Sequence, residues 1–208
     1  TIEGERVTIG AQTPDAPGYD LLALMTGSEG MLGVIVEITV KLLPKPASAR
    51  ALLAAFDSVE EAGAAVGNII AEGIIPGGLE MMDNPAIRAA EDFVHAGYPV
   101  DAAAVLICEL DGTAEEVADQ IDQVNGVLTH CGATEVRVSE DEAERMRFWA
   151  GRKAAFPAVG RISPDYYCMD GTIPRRELPN VLKRIEQASA QYGLRVVNVF
   201  HAGDGNLH

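Results

Sequence analysis

The sequence predicts an α+β fold in which an antiparallel sheet carries helices on one face. Helical and strand patterns alternate along the chain from residue 50 onward, which by itself also permits a doubly wound parallel sheet. The predicted strands are short and partly polar, however, and such strands are typical of an antiparallel sheet with one exposed face. At 208 residues the chain has room for one large domain, or for a domain and part of another.

A domain boundary is expected near residue 46. Residues 34–43 form a hydrophobic run that predicts a strand, and the prolines and small residues at 42–48 interrupt it. We therefore assign residues 1–46 and residues 47–208 to different domains.

From residue 50 onward, strand runs, helix caps and glycine stops define the elements. Ser58 and Thr113 are good N-caps, and Glu116 suits a capping box with Thr113. Pro174 suits the first position of the last helix. The predicted strands are residues 50–56, 76–82, 102–110, 134–138, 166–173 and 194–200. The predicted helices are residues 58–73, 84–96, 113–132, 140–156 and 174–192.

The last eight residues, H-A-G-D-G-N-L-H, carry the strongest functional signal. The β-branched run at 195–200 predicts a strand, and the following Asp-Gly pair predicts a tight turn. A hairpin there would place His201 at the end of one strand and His208 at the start of its partner. Two imidazoles across a turn can share one divalent cation, but two ligands do not close a structural site. The pair therefore predicts a catalytic metal with open coordination positions.

A second signal is the glycine-rich sequence G-S-E-G-M-L-G at residues 27–33. Glycines let backbone N–H groups approach a flat or phosphorylated ligand. The spacing is neither a Walker loop nor G-x-G-x-x-G, so these residues alone leave a cofactor loop and an ordinary turn equally open.

Composition argues against several classes. Sixteen basic against 31 acidic residues give a net charge of −15, so nucleic acid is not an expected ligand. No apolar run approaches the length of a membrane span, and no signal-peptide pattern is present. Cys108, Cys131 and Cys168 are scattered, which favours a reducing compartment and argues against disulfides or an iron–sulfur centre. We expect Cys108 in the core, and Cys131, His95 and His130 near helix ends without a catalytic role.

Three segments occur in an order that resembles a known family. They are GYDL…GSEGMLGVI at 18–35, RKAAFP…GRISPDYYxMDGTIP at 152–174, and HxGDGNLH at 201–208. The chain resembles the FAD-linked oxidases related to vanillyl-alcohol oxidase and, within them, the FAD-binding catalytic subunits of bacterial glycolate oxidases. This resemblance implies that 1–46 is the C-terminal part of a FAD-binding domain and 47–208 a truncated, ferredoxin-like substrate domain. It also implies a preceding half of the FAD domain and a further stretch after residue 208.

The resemblance also implies roles for individual residues. The implied FAD-binding residues are Gly27, Ser28, Glu29, Gly30, Leu32, Gly33 and Val34. Arg152 would hold the substrate carboxylate, for which a planar guanidinium is well suited. His201 and His208 would bind Zn, Mn or Fe, and Asp204 and Asn206 would orient the two imidazoles.

Other residues near the implied pocket are less distinctive. Related D-2-hydroxyglutarate and D-lactate dehydrogenases have a further lysine where this chain has Cys168, which implies a small monocarboxylate substrate. Tyr166, Tyr167 and Asp170 are candidates for the pocket lining, with Tyr167 assigned to substrate binding, although strand residues are as often core or cross-strand partners. Lys153 is expected to pair with a glutamate on the exposed face of its helix.

The implied activity is oxidation of glycolate or D-lactate to the 2-oxo acid. FAD would accept a hydride from the α-carbon, and a metal would lower the pKa of the hydroxyl group. The base and a third, acidic metal ligand would lie beyond residue 208. Electrons would pass to iron–sulfur and second flavin-type subunits of a cytoplasmic complex, with membrane association through those subunits and a homo-oligomeric state left open.

Two other functions remain open at this stage. The chain could be a structural or interaction module without flavin, or a metal-dependent hydrolase, although it has no nucleophile elbow and no H-E-x-x-H. For the 208-residue chain alone, we expect no bound FAD and no glycolate oxidation, because such sites normally bury most of the ligand surface.

Overall fold

The computed structural model describes residues 1–11, 13 and 17–208. The chain divides into two units, Thr1–Pro44 and Lys45–His208. The first unit contains a short helix, α1 (Leu21–Met25). Its N-cap is Asp20, whose carboxylate accepts a hydrogen bond from the Ala23 N–H at 3.0 Å.

The strand predicted at residues 34–43 is not formed. Residues 34–43 have no regular secondary structure, and apolar side chains such as Val34 and Val40 are 81% and 66% exposed. A strand requires a partner for its backbone N–H and C=O groups. Within the described part of the first unit, no strand lies beside this run.

The second unit is built around an antiparallel sheet, as predicted. Its strands are β1 (Ser48–Phe56), β2 (Gly78–Asp83), β3 (Ala104–Gly112), β4 (Glu135–Val138), β5 (Gly171–Thr172), β6 (Val199–Phe200) and β7 (Asn206–Leu207). Its helices are α2 (Val59–Ala71), α3 (Asn84–Val94), α4 (Ala114–His130), α5 (Glu142–Ile162) and α6 (Leu178–Tyr192). The five-stranded sheet has the order β4-β1-β3-β2-β6, with antiparallel neighbours throughout. The order 4-1-3-2 is that of a ferredoxin-like unit, so the predicted fold class is confirmed.

Helices cover both faces of this sheet, so the prediction of a single covered face is wrong. Leu52 and Phe56 of β1 belong to one core with α2, α4 and α6, whereas Leu53 and Ala55 belong to a second core with α3 and α5. All four side chains are buried. Because β1 is apolar at consecutive positions, each of its faces requires a cover.

The predicted helix starts are confirmed in the middle of the chain. The Ser58 hydroxyl accepts a hydrogen bond from the Glu61 N–H at the start of α2. Thr113 and Glu116 form both bonds of the predicted capping box at the start of α4. These signals are local in sequence, which is why they could be recognised without the fold.

The elements after residue 140 differ more from the prediction. Helix α5 continues past Pro157 to Ile162, so this proline removes one backbone hydrogen bond but does not end the helix where predicted. The strands predicted at 166–173 and 194–200 are reduced to β5 and β6, since only these residues find partner strands. The last helix follows a 3-10 turn (Arg175–Glu177), and Pro179, not Pro174, lies in its first turn.

The cysteines and unassigned histidines lie where the sequence predicts. Cys108 is in the core, where burial raises the pKa of its thiol to about 12. Cys131 is the C-cap of α4, directly after His130, and His95 is the C-cap of α3. All three cysteines are free. Among the described residues, no helix is both long enough and apolar enough to cross a bilayer.

Candidate active site

The C-terminal loop brings His201 and His208 together. His201 follows β6, a 3-10 turn (Ala202–Asp204) comes next, and His208 follows β7. The N–H of His201 donates to the Asn206 carbonyl at 3.1 Å, and the N–H of Val199 donates to the His208 carbonyl at 3.1 Å. The two strands that flank the loop are therefore held together. His208 was predicted at the start of the second strand, but it follows the end of β7.

Gly205 makes this turn possible. Its φ of +71° lies in the left-handed region, which favours glycine. A Cβ atom at this position would also lie 2.2 Å from the carbonyl oxygen of Ile173. Any larger residue would therefore displace the loop that connects the two histidines.

The two imidazoles face each other across the turn. Their ring centroids are 5.3 Å apart and the ring planes meet at 84°. The His201 side chain is 48% exposed and that of His208 is 15% exposed. Two neutral imidazoles at this separation are a suitable donor pair for a divalent cation such as zinc, provided that other ligands complete the shell. Among the described residues, however, no group of three or more His, Cys, Asp and Glu is arranged to hold a metal.

Glu80 of β2 connects His201 to Arg152, and the sequence analysis did not identify it. One carboxylate oxygen, Oε1, lies 2.8 Å from Nδ1 of His201. The other, Oε2, lies 2.9 Å from both Nε and Nη2 of Arg152, which is in the middle of α5. The Glu80 and Arg152 side chains are only 9% and 8% exposed. A charge is tolerated at such depth when it is paired and hydrogen-bonded, as both are here.

His208 has an acidic neighbour of its own. Its Nδ1 lies 3.6 Å from Oδ1 of Asp170, an ion-pair distance that is too long for a hydrogen bond. The same Asp170 oxygen accepts a hydrogen bond from Nδ2 of Asn206 at 2.8 Å. Asn206 thus fixes the carboxylate that faces His208. Asp204 contacts His201 through its backbone N–H, which donates to the His201 carbonyl.

Helix α5 also contributes an aromatic wall, another feature that the sequence analysis missed. Phe156 lies one turn after Arg152, and its ring centroid is 6.2 Å from that of His208. Phe148 and Gly151 lie on the preceding turn of α5 and contact Tyr98, which lies between α3 and β3. The Tyr98 hydroxyl donates to the Phe148 carbonyl, and a Cβ atom on Gly151 would lie 2.4 Å from the Tyr98 ring. Burial raises the pKa of Tyr98. Gly151 therefore permits the close packing that holds Arg152 in place.

Comparison with known proteins identifies the family. A family described as "FAD linked oxidases, C-terminal domain" matches residues 45–208. The chain belongs to the FAD-linked oxidases.

The relatives of this FAD-linked oxidase chain include named enzymes. It is 71% identical over 208 residues to "Glycolate oxidase subunit GlcD" of Escherichia coli K12, which covers all of this chain and 42% of the relative. It is 38% identical over 201 residues to the protein of that name in Bacillus subtilis, covering 97% of this chain and 43% of the relative. It is 33% identical over 213 residues to "D-lactate dehydrogenase" of Anaerostipes hadrus, covering 99% and 45%. The chain thus spans less than half the length of these relatives.

Solved structures support the fold of this FAD-linked oxidase chain. An alkyldihydroxyacetonephosphate synthase matches 91% of this chain and 41% of its own length, with a TM-score of 0.65 and 16% identity. The 4-ethylphenol oxidase from Gulosibacter chungangensis matches 81% and 39%, with a TM-score of 0.59 and 13% identity. At these identities the matches show the fold alone.

The glycine-rich residues 27–33, here called the glycine loop, lie in the first unit, and parts of their backbone are accessible to solvent. Gly27, Glu29 and Gly30 have positive φ values of 78°, 51° and 81°. Around the Cβ positions of Gly27 and Gly30 there is nothing within 4 Å, so the backbone is accessible to a flat or phosphorylated ligand. Leu32 and Val34 are exposed, whereas Ser28 and Gly33 are half-buried, and a Cβ atom on Gly33 would lie 3.5 Å from the Met25 side chain. The FAD-binding role of the loop stays a prediction.

Two further predictions about side chains in this FAD-linked oxidase chain concern α5 and the segment after it. Tyr167 is 89% exposed and Tyr166 is 50% exposed, and within the described residues no hydrogen bond, ion pair or ring contact joins Tyr167 to the two histidines. Lys153 is exposed, and the nearby carboxylates of Glu142 and Glu144 pair with Arg145 and Arg137 instead. Within the part of the chain that the structure describes, Lys153 forms no ion pair, so the expected pair with a glutamate is not seen.

Proposed function

We propose that the complete protein oxidises a small 2-hydroxy acid, glycolate or D-lactate, to the corresponding 2-oxo acid with FAD as the acceptor. The observation that carries this proposal is the cluster in which Glu80 joins Arg152 to His201, with His208 opposite. Such a cluster provides a guanidinium for a carboxylate and imidazole nitrogens for a hydroxyl-bound cation, and Glu80 joins the two from positions 72 and 121 residues away in sequence. The names of the relatives, glycolate oxidase subunit and D-lactate dehydrogenase, agree with this substrate class.

Arg152 binds the substrate carboxylate. Its Nε and Nη2 are occupied by Glu80, whereas no hydrogen bond within the described residues engages Nη1. A carboxylate bound to Nη1 orients the adjacent α-carbon, and holding that atom in place lowers the entropic part of the barrier. Phe156 closes one side of the space beside His208, which favours a substrate with a small side chain.

The α-hydroxyl group lies toward His201 and His208. With Nδ1 of His201 held by Glu80, Nε2 is the nitrogen left for a metal ion. When bound, a divalent cation supplies positive charge at the hydroxyl oxygen, and FAD supplies the acceptor for two electrons. Oxidation breaks the α-C–H bond, with its electron pair leaving as hydride, and the O–H bond, with its proton going to a base.

The electrons then pass to a separate carrier subunit. The relative with 71% identity is named a subunit, which supports a complex of several chains. We propose an iron–sulfur subunit and a second flavin-type subunit as partners, in a complex located in the cytoplasm. Co-purification of the tagged complete protein, followed by iron and sulfide analysis, tests this part of the proposal.

The 208-residue chain by itself neither holds FAD nor oxidises glycolate. Its glycine loop is open, and the apolar run that follows is exposed within the first unit. A ligand of this kind is normally enclosed over most of its surface. Flavin absorption bands in the purified 208-residue chain would contradict this expectation and show that the loop suffices.

Anaerobic reduction of the complete protein tests the main proposal. Glycolate or D-lactate, added without an electron acceptor, is expected to bleach the flavin absorption near 450 nm, and the 2-oxo acid should appear in equal amount (~1 per flavin). A dicarboxylic 2-hydroxy acid serves as the specificity control and should react at least about tenfold more slowly. Flavin that stays oxidised with every small 2-hydroxy acid would overturn the proposal and favour a non-catalytic module.

A further inference from the structure

Glu80 occupies a position where the sheet would ordinarily place an apolar residue. It lies in β2 opposite Ile107 of β3, and the β2–β6 register, Met81 with Phe200 and Met82 with Val199, continues to set it opposite His201. Its neighbours in the strand, Leu79 and Met81, are buried in the core. The side chain itself is almost completely buried.

The buried charge is not explained by stability. A buried ion pair costs desolvation energy, and apolar residues of similar volume often stabilise a fold as well or better. Asp83, the other buried carboxylate of β2, has a structural task, since it caps α3 and accepts hydrogen bonds from Asn198. Glu80 caps no helix. Each of its two oxygens is directed at a side chain of the candidate active site.

The contact with His201 selects one form of the imidazole. Because a carboxylate is an acceptor, Nδ1 of His201 donates to Oε1 and carries the ring proton. In the neutral ring Nε2 is then unprotonated, and its lone pair is available to a cation. Carboxylates that hold a metal-binding histidine in this way fix both its tautomer and its orientation.

The contact with Arg152 orients the guanidinium. Oε2 binds the Nε and Nη2 edge, so the planar group cannot rotate freely. Nη1 is then directed by the same carboxylate that directs the imidazole. One side chain thus sets the positions of both groups that the proposed reaction uses.

We propose that Glu80 is a positioning residue that aligns the carboxylate-binding Arg152 with the metal-binding His201. The proposal rests on the function given above, and it adds that binding of the substrate carboxylate and binding of the metal depend on one buried side chain. Because both oxygens of Glu80 bind Arg152 and His201, Glu80 would act through these two side chains and not on the substrate or the metal directly.

The test compares Glu80→Gln with Glu109→Gln in the complete protein. Glu109 is a matched control because it also lies on a strand of the sheet, β3, and also binds both an arginine of α5 and a ring N–H. These partners are Arg145 and the indole of Trp149. Metal affinity is measured with Mn²⁺ alone, without substrate. Glu80→Gln should weaken Mn²⁺ binding by roughly 10- to 100-fold, and the KM for glycolate should rise by more than the kcat falls. Glu109→Gln should change neither value by more than about twofold.

A measurement on the unmodified protein keeps the inference testable if Glu80→Gln does not fold. With ¹⁵N-labelled histidine, the ring-nitrogen shifts of His201 should report a protonated Nδ1, and in Glu80→Gln this tautomer should lose its dominance. An Nε2-protonated His201 in the wild type, or unchanged Mn²⁺ affinity and KM in Glu80→Gln, would overturn the inference. If the wild type binds Mn²⁺ and shows the expected tautomer but oxidises no hydroxy acid, the proposed function fails and the role of Glu80 at the metal site stands.

Discussion

Helix α5 carries two arginines that each bind a glutamate of the sheet, and the two pairs have different consequences. Arg145 Nη1 contacts Oε2 of Glu109 at 2.5 Å, and the Trp149 ring N–H donates to the same oxygen. Arg152, two turns later, contacts Glu80, which also binds the His201 ring. In both clusters the arginine and glutamate side chains are mostly buried, and each cluster also contains a nitrogen-containing ring.

The difference lies in the atoms that remain unused. In the Arg145 cluster, Nε and Nη2 bind Glu142 and Nη1 binds Glu109, while the indole has a donor and no acceptor. In the Arg152 cluster, Nη1 and the second imidazole nitrogen are not engaged by the glutamate. A buried ion pair alone therefore does not mark a reactive site. The feature that distinguishes the Arg152 cluster is that donor and acceptor atoms beside its ion pair are not used by the glutamate.

Replacement of Arg152 should have the largest effect of any change at these two clusters. In the complete protein, Arg152→Ala should lower kcat/KM for glycolate roughly 30- to 5,000-fold. This factor corresponds to a loss of about 2–5 kcal/mol of interaction with the substrate carboxylate. It also leaves Glu80 as an uncompensated buried charge, so the free energy of unfolding should fall by about 3–5 kcal/mol. Steady-state kinetics and urea denaturation measure the two effects.

Arg152→Lys separates these effects, because lysine keeps a positive charge near Glu80 but has no planar fork. Most of the stability should return, whereas kcat/KM should stay low. Arg145→Ala provides the comparison and should leave kcat/KM within about twofold of the wild-type value. Wild-type kinetics in Arg152→Lys would show that Arg152 serves the fold in the same way as Arg145.

The histidine pair should give the next largest effect. In the complete protein, His201→Ala or His208→Ala should abolish stoichiometric divalent metal and lower kcat by at least about 100-fold, with FAD content unchanged. His130→Ala at the exposed end of α4 is the control. Elemental analysis that finds equal metal in the variants and the wild type would contradict the metal assignment.

The sequence predicted the parts of this site that are encoded in short segments. His201 and His208 were recognised because they lie only seven positions apart and a glycine turn connects them. Arg152 was recognised through the segment around it. Glu80 was missed because its partners are 72 and 121 residues distant, so that only the fold brings them together. A charged residue within the apolar strand Gly78–Asp83 was the one local sign of it.

The same limit applies to secondary structure. The caps of α2 and α4 depend on residues within one turn and were predicted correctly. The extent of β5 and β6 depends on where a partner strand ends, and the run at 34–43 has no partner strand in the described part of its unit. The covering of both sheet faces was also missed, although the consecutive apolar residues of β1 indicate it. Patterns of hydrophobicity predict strands well only when the partner is known.

A third carboxylate, Asp83, extends the comparison to pH. Asp83 is held by neutral donors, the backbone N–H groups of Ala86 and Asn198 and the Asn198 amide. Burial therefore dominates and raises the pKa of Asp83 from 3.8 to about 6. The folded state binds a proton more tightly than the unfolded state, so the contribution of Asp83 to stability is present below pH ~4 and is lost as the pH rises through 6.

Denaturation at several pH values checks this expectation. The wild type should lose about 2 kcal/mol of unfolding free energy relative to Asp83→Asn between pH 4 and pH 6.5, because one pKa unit corresponds to about 1.36 kcal/mol and this pH window covers most of the difference between 3.8 and about 6. The m-value should stay constant across the series, which shows that the unfolded state is unchanged. Parallel pH profiles for the two proteins would mean that Asp83 remains ionised in the fold.

Removal of the ring nitrogen from the Arg145 cluster should give the smallest effect and completes the comparison. Trp149→Phe keeps an aromatic ring beside Gly78, where a Cβ atom would lie 2.8 Å from the indole, but removes the N–H that donates to Glu109. Glu109 keeps its bond to Arg145, so the free energy of unfolding should fall by only about 1–2 kcal/mol. The matched change at the other cluster, His201→Phe, likewise removes a ring nitrogen from a glutamate, yet it should abolish stoichiometric metal and lower kcat by at least about 100-fold. Metal affinity and kcat/KM in Trp149→Phe should equal those of the wild type, because no unused atom of that cluster faces a ligand. A tenfold rise in the KM of Trp149→Phe would instead mean that the whole inner face of α5, not the Glu80 cluster alone, sets the geometry of the site.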